Sequence, residues 1–256
     1  MRIITLTTDF GTDSHYLVSV KAVLFSGKKD VSVIDISHNI ERFDINEGAY
    51  VMGLVLRDFP ENTIHIIGLD TESPAGKRIL CVKHLNQFFI VPDNGLMSLI
   101  AAESEWDIFE ITAKADSLFT VRDVMARQAL LIVENDYQPD KLYKRTDVVN
   151  KKSKINPVIH NTTLQGTIAY VDSYGNAFTN ITKKIFEEFV GNNKFRIILS
   201  HFESIDKIHQ KFSDVAEGQT VCIFDESDYL MIRINQGKAS QLYNLRKSKP
   251  IMIELA

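Results

Sequence analysis

Residues 3–11 read Ile-Ile-Thr-Leu-Thr-Thr-Asp-Phe-Gly, a β-branched and apolar run closed by an acid and a glycine. Such a run is a buried strand that ends in a turn. The segment after it, residues 14–26, carries Tyr16, Leu17, Val20, Val23 and Leu24 at helical spacing. VSVIDI (31–36) is a second strand. Asp44, with Glu47 three residues later, fits a capping box, and the helix it opens sets Ile45, Ala49, Met52 and Leu56 on one face. TIHIIGL (63–69) is a third strand, and RILCVKHL and QFFIVP form a pair joined at Asn86. Alternation of strand and helix implies an α/β domain with a mainly parallel sheet and helices on its faces. Residues 124–135 read as one more helix.

The stretch 137–157, YQPDKLYKRTDVVNKKSKINP, is polar, basic and bounded by prolines, and reads as a linker or long surface connection. Beyond it TLQGTIAYVD, KFRIILS, TVCIFD, YLMIRI and PIMIEL are short strands with few helices between them. That pattern predicts a smaller, antiparallel, barrel-like β domain. The expected division is an α/β domain over 1–150, a connection over 137–160 and a β domain over 161–256.

Composition narrows the function classes. The chain is 45% hydrophobic with a formal charge of −4, which gives no basic footprint for nucleic acid. No stretch approaches the roughly 20 apolar residues that span a bilayer, and MRIITLTTDF lacks the features of a signal peptide, so a cytoplasmic protein without a membrane partner is expected. Cys81 and Cys222 both lie in apolar strands, which reads as two reduced, buried thiols.

Three of the N-terminal strands end in acids: Asp9, Asp35 and Asp70. Each alone could cap the turn that follows; three together, with Asp13, His38 and Asp93 nearby, mark a site at the carboxyl ends of the strands. Hard oxygen and imidazole donors of this kind also suit a metal, but no compact ligand motif accompanies them, and no metal or other cofactor is expected. No phosphate loop is present, since SPAGKR (73–78) is too short, and GxSxG is absent. In the second half, Asp172-Ser173-Tyr174-Gly175-Asn176 reads either as a tight turn or as a carboxylate, an aromatic face and an amide set to hold a sugar or base.

TTDFGTDSHY, VIDISHNIERFDINEGA, LD(x6)KR, PDNGL, YVDSYGNAFTNI and DYLMIRINQG occur in this order along nearly the whole chain. As a set they resemble the S-adenosylmethionine hydroxide adenosyltransferases, relatives of the fluorinase and chlorinase enzymes. The resemblance implies a homotrimer whose sites lie between the N-terminal domain of one subunit and the C-terminal domain of its neighbour. It places Asp9 on the ribose hydroxyls and Phe43 on the wall of the ribose and sulfonium region, and counts Phe119 among the substrate-binding residues. It assigns Asp172 and Asn176 to the amino-acid part of the ligand, Tyr174 to the adenine, and Ser227 and Tyr229 to the same pocket. Asn94 and Gly95 read as a structural turn, and His38 and His65 as hydrogen-bonded packing histidines.

The reaction the resemblance implies is displacement at the 5′ carbon: water or hydroxide attacks, methionine leaves and adenosine forms. Hydrolytic members use an Asp-Arg-His set to orient the water. Here Asp70 keeps the first place, the second reads Lys77 with Arg78 beside it, and Thr120 stands in the third, followed by Val121 in place of a glycine. A threonine hydroxyl orients a water but is a poor proton acceptor. Lys77 lacks the planar fork of arginine; Arg78 would reach the role if the loop shifted by one residue. A carboxylate at position 70 also disfavours a halide nucleophile. Two readings stay open: a hydrolase of S-adenosylmethionine, or a weakly active or non-catalytic protein that binds S-adenosylmethionine or adenosine.

Overall fold

The computed structural model describes residues 2–101, 106–112, 117–200 and 202–256, and the chain divides into two compact units, Met1–Lys154 and Ile155–Ala256. In the first, the runs β1 (Ile3–Thr8), β2 (Ser32–Ser37) and β3 (Ile64–Gly68) pair in parallel with β1 in the middle. α1 (His15–Phe25) joins β1 to β2, and α2 (Ile45–Val55) joins β2 to β3. Ser14 caps α1 by accepting from the Tyr16 amide, and Asp44 caps α2 by accepting from the Asn46 and Glu47 amides. The chain leaves β1 for β2 on one side and returns to β3 on the other. A parallel sheet that reverses in this way opens a crevice at the carboxyl ends of the two strands flanking the reversal, here β1 and β3.

β4 (Ile79–His84) and β5 (Gln87–Pro92) form the hairpin at Asn86, with Leu85 and Asn86 both left-handed as a two-residue turn requires. β5 lies parallel to β3, while β4, β6 (Asp107–Ile111) and β7 (Lys144–Arg145) continue the sheet antiparallel. The order is β2-β1-β3-β5-β4-β6-β7, parallel in the half that carries the strand-end acids. α3 (Leu96–Ile100) follows β5. The helix expected over 124–135 starts earlier: π-helical turns over Val121–Ala126 run into α4 (Arg127–Glu134). Leu24 of α1 and Met125, Ala129 and Ile132 of the last helix bury against Ile4, Ile66, Phe88 and Ile90. Each such aliphatic side chain contributes about 1.5–3 kcal/mol by leaving water.

The polar segment expected as a linker is in part docked on this unit. The Thr146 amide donates to the Ile108 carbonyl, the Arg78 guanidinium to the Val148 carbonyl, and the Asn150 amide to Asp93 Oδ1, at 3.1, 2.6 and 2.8 Å. Ser98 Oγ accepts from the Lys152 amide at 2.8 Å. Residues 146–152 thus form a strap across β6, β4 and α3, held by polar groups that give no hydrophobic period.

The second unit is an eight-stranded antiparallel sheet built from β8 (Val158–His160), β9 (Thr163–Val171), β10 (Ala177–Thr182), β11 (Phe195–Ile198), β12 (Ser204–Ile205), β13 (Thr220–Phe224), β14 (Tyr229–Ile234) and β15 (Pro250–Leu255). The order β12-β11-β15-β9-β10-β14-β13, with β8 on β9, is nearly closed, since the His209 amide just after β12 donates to the Cys222 carbonyl of β13. α5 (Lys183–Val190), capped by Thr182, and the short α6 (Ala239–Leu242) pack on it. Leu164, Ile181, Phe186, Ile232 and Ile253 form its core. Cys81 and Cys222 are free and buried, and burial pushes both thiols up to about 12. Among the described residues no helix is long and apolar enough to cross a membrane.

Candidate active site

β1 ends at Thr8, and Asp9 stands just beyond it at the mouth of the crevice. Its Oδ2 accepts from the Phe43 amide at 2.9 Å. Phe43 lies on the loop before α2, at φ 64° and with 64% of its surface exposed. A bulky residue holds a left-handed φ only where its surroundings impose it, and here the carboxylate fixes the amide. The Gly11 amide donates to the His38 carbonyl at 2.8 Å, so the loops after β1 and β2 are tied together twice. Phe10, Tyr16 and Phe119 form an aromatic cluster beside Asp9, with ring centroids 5.1–5.9 Å apart.

Two buried histidines of this sheet, His38 at this end and His65 at the amino end of β3, are held by hydrogen bonds. His38 Nδ1 shares a 2.8 Å hydrogen bond with Thr8 Oγ1, and its Nε2 lies 3.1 Å from Asp35 Oδ1, while Asp35 Oδ2 meets Lys21. Burial pushes the Asp35 carboxyl up, but hydrogen bonds from Lys21 and His38 outweigh it and leave it below its ordinary value. His65 is buried between Thr5 Oγ1 and Gln87 Oε1, at 2.8 Å from each. Burial lowers its pKa to about 4, so it is neutral at pH 7.

Asp70 follows β3 by two residues, with a left-handed φ of 51°. Ser73 Oγ donates to Asp70 Oδ2 at 3.1 Å and accepts from the Gly76 amide at 3.1 Å. Position 76 admits only glycine, because a Cβ there would stand 2.1 Å from the Asp70 carbonyl oxygen. This loop, the ends of β4 and β6 and the start of the last helix enclose a recess of about 60 Å³. Thr71, Glu72, Lys77, Ser117 and Thr120 supply its polar groups, and Ile79, Ile111 and Val124 its apolar wall. Lys77 and Thr120, separated by 43 positions, therefore face one small space. Val121, where a glycine was expected from the resemblance, is buried against Gly68.

Arg78 does not share that recess. Its guanidinium donates to Asp93 Oδ2 at 2.8 Å, to Glu110 Oε2 at 2.7 Å and to the Val148 carbonyl, and the Glu110 hydrogen bond in particular holds it charged. A one-residue shift that carried Arg78 to the place of Lys77 would break all three contacts and strip buried Asp93 of its cation. Arg78 and Asp93 are the anchors of the strap, a role the sequence alone did not suggest.

In the second unit, Asp172 and Asn176 close the β9–β10 turn on each other. The Asn176 amide donates to Asp172 Oδ1 and its Nδ2 to Oδ2, both at 2.8 Å, and Gly175 takes a φ of 79°. The turn holds Tyr174 outward, 76% exposed. Ser227 and Tyr229 belong to the β13–β14 turn, organised by Asp225, whose Oδ1 accepts from both of their amides at 3.0 and 2.8 Å. Burial raises the Asp225 and Tyr229 pKa values. Pairing of Ala177 with Ile232 and of Thr182 with Tyr229 puts the two turns at opposite ends of the β10–β14 pair. Three residues of β14 separate these pairs, the longer count along β10 including an irregularity, so the turns stand roughly 10 Å apart at about 3.3 Å per residue.

Among the described residues, the acids whose ligand atoms come within 4.8 Å of one another are Glu41, Asp44 and Glu47, at the start of α2 where Asp44 serves as its cap. The strand-end acids are not part of that group.

Residues 4–142 match the family model described as the SAM hydroxide adenosyltransferase N-terminal domain, and residues 166–252 the corresponding C-terminal domain. The chain is 30% identical to the (R)-S-adenosyl-L-methionine hydrolase of Methanocaldococcus jannaschii, over 95% of this chain and 92% of that one. It is 22% identical to the fluorinase of Nocardia brasiliensis, over 99% and 97%. A crystal structure of an uncharacterized conserved protein from Thermotoga maritima superposes with a TM-score of 0.86 at 27% identity, covering 98% of this chain and 99% of that one. With both domain models matched in order over the fold described above, the chain belongs to the SAM hydroxide adenosyltransferase family.

Proposed function

We propose that the protein is a cytoplasmic hydrolase of S-adenosylmethionine that forms adenosine and L-methionine. The observation that carries this reading is the pairing of a carboxylate fixed at the mouth of the crevice, Asp9 on the Phe43 amide, with a separate recess holding Lys77 and Thr120. The first suits the ribose hydroxyls under an exposed aromatic ring, and the second suits a water. Similarity to the hydrolase of Methanocaldococcus jannaschii supports the same reaction.

In this reading Asp9 accepts from the ribose hydroxyls, and Phe43 and Phe119 shield the 5′ carbon. Lys77 and Thr120 orient the attacking water, Asp70 positions the loop that carries Lys77 through its hydrogen bond with Ser73, and Arg78 serves the fold instead. Tyr174 stacks on adenine, and Asp172, Asn176, Ser227 and Tyr229 bind the remainder of the ligand from a neighbouring subunit of a homotrimer. That neighbour arrangement accounts for ligand groups carried by two separate units. The sulfonium is already a good leaving group, so the protein's task is to place the water in line and exclude competitors. Incubation of the purified protein with S-adenosylmethionine, read by chromatography, gives adenosine and methionine in equal amounts, and D70N removes the activity. Absence of adenosine above a buffer control contradicts the reading. The replacement of histidine by Thr120 favours a second one, a binding protein without turnover, and calorimetric binding in the absence of product is its signature.

A further inference from the structure

Hydrolysis of a sulfonium by water releases one proton, and the recess determines which group can take it. Its volume of about 60 Å³ is enough for ordered water and well below the roughly 300 Å³ of a site for a nucleoside-sized ligand. Its polar lining residues are Thr71, Ser117 and Thr120, which carry hydroxyls, Lys77, which carries an ammonium, and Glu72, which carries a carboxylate. Hydroxyls are poor proton acceptors at neutral pH, and an ammonium only donates. The Ser117 hydroxyl is already engaged, donating to Asp123 Oδ2 at 2.7 Å. Asp70 is outside the lining, with its Oδ2 accepting from Ser73.

We infer that Glu72 is the general base of this site, in the role left vacant by Thr120. The inference rests on the proposed hydrolysis. A water held by Thr120 and Lys77 attacks the 5′ carbon as one of its protons passes to a Glu72 carboxylate oxygen. The carbon–sulfur bond breaks, its electron pair neutralises the sulfonium as methionine leaves, and Glu72 returns the proton to solvent. A carboxylate is adequate for this task, as in inverting glycosidases, where one activates water at a carbon that is losing a good leaving group. Glu72 is exposed and keeps its position next to Thr71 Oγ1, 3.4 Å from Oε1, so replacement of its carboxylate leaves the core untouched.

The test compares E72Q and E72D with the wild type by steady-state adenosine release, with thermal melting as a check on folding. E72Q is expected to lower kcat tenfold or more with KM within twofold, and E72D to recover part of the loss; general-base catalysis contributes about 10²–10⁴. A smaller fall in kcat, a KM that rises in step, or no difference between E72D and E72Q overturns the inference. If the wild type itself releases no adenosine, the proposed hydrolysis fails, and this is visible before any variant is compared.

Discussion

Asp9 and His65 show how differently a polar side chain can serve at the two ends of the same sheet. Asp9 is at the mouth of the crevice with one oxygen spent on the Phe43 amide, and a carboxylate has further lone pairs to offer a ligand. D9A removes the tie to Phe43 and, with it, the proposed ribose contact. By calorimetry, affinity for S-adenosylmethionine and for adenosine should fall by at least tenfold, as expected when a hydrogen bond to a charged group worth about 1.5–3 kcal/mol is lost. His65 has no outlet to a ligand. Its imidazole takes up a proton at about 4 in the folded state against 6.5 in an unfolded chain, because burial opposes the charge. Between those values the unfolded state binds more protons, so this contribution is full above pH 6.5 and is lost as pH falls toward 4. The whole effect is about 3 kcal/mol. Urea unfolding at pH 7 and pH 5, above the range of most carboxylates, should show the decline, and H65Q should flatten it.

The loop from Asp70 to Arg78 is the element on which the proposed chemistry and the anchoring of the strap both depend. Gly76 lets the loop close on the Asp70 carbonyl, and Ser73 holds the carboxylate from within the turn. G76A must move that backbone and is expected to cost well over 1 kcal/mol in unfolding experiments, with a parallel loss of activity. At the far end of the loop, Arg78 joins Asp93, Glu110 and the strap. R78A leaves the buried Asp93 carboxylate without its cation, a change that costs about 3 kcal/mol where a buried pair is broken. Hydrogen exchange over residues 146–152 should speed up in R78A, and unchanged protection there would show that the strap is held by other means.

At the scale of the whole molecule, periodicity made the α/β unit and the antiparallel unit readable, because β1, β2, β3 and the long strands β9 and β15 carry strong apolar patterns. α3 and β6, five residues each, are too short to show a period. The strap escaped notice because it is fixed by Arg78, Asp93 and Ser98 and not by apolar burial. Asp9, Asp70 and the Asp172–Asn176 turn stood out as acids and turn residues at strand ends. The resemblance set Lys77 and Thr120 in one catalytic group, but the place of Glu72 beside them could not be read from one sequence, since only the placement of the loop after β3 against the start of the last helix brings it there. A homotrimer with ligand groups drawn from two subunits should scatter light as three chain masses. Dilution that dissociates it should abolish turnover, and full activity in a monomer would contradict a shared site.

Water is the proposed nucleophile at the 5′ carbon. Turnover of S-adenosylmethionine in heavy-oxygen water, with adenosine read by mass spectrometry, tests it directly. Heavy oxygen in the 5′ hydroxyl of the adenosine formed is the expected result; unlabelled adenosine, or a 5′-halogenated nucleoside when chloride or fluoride is supplied, would contradict it.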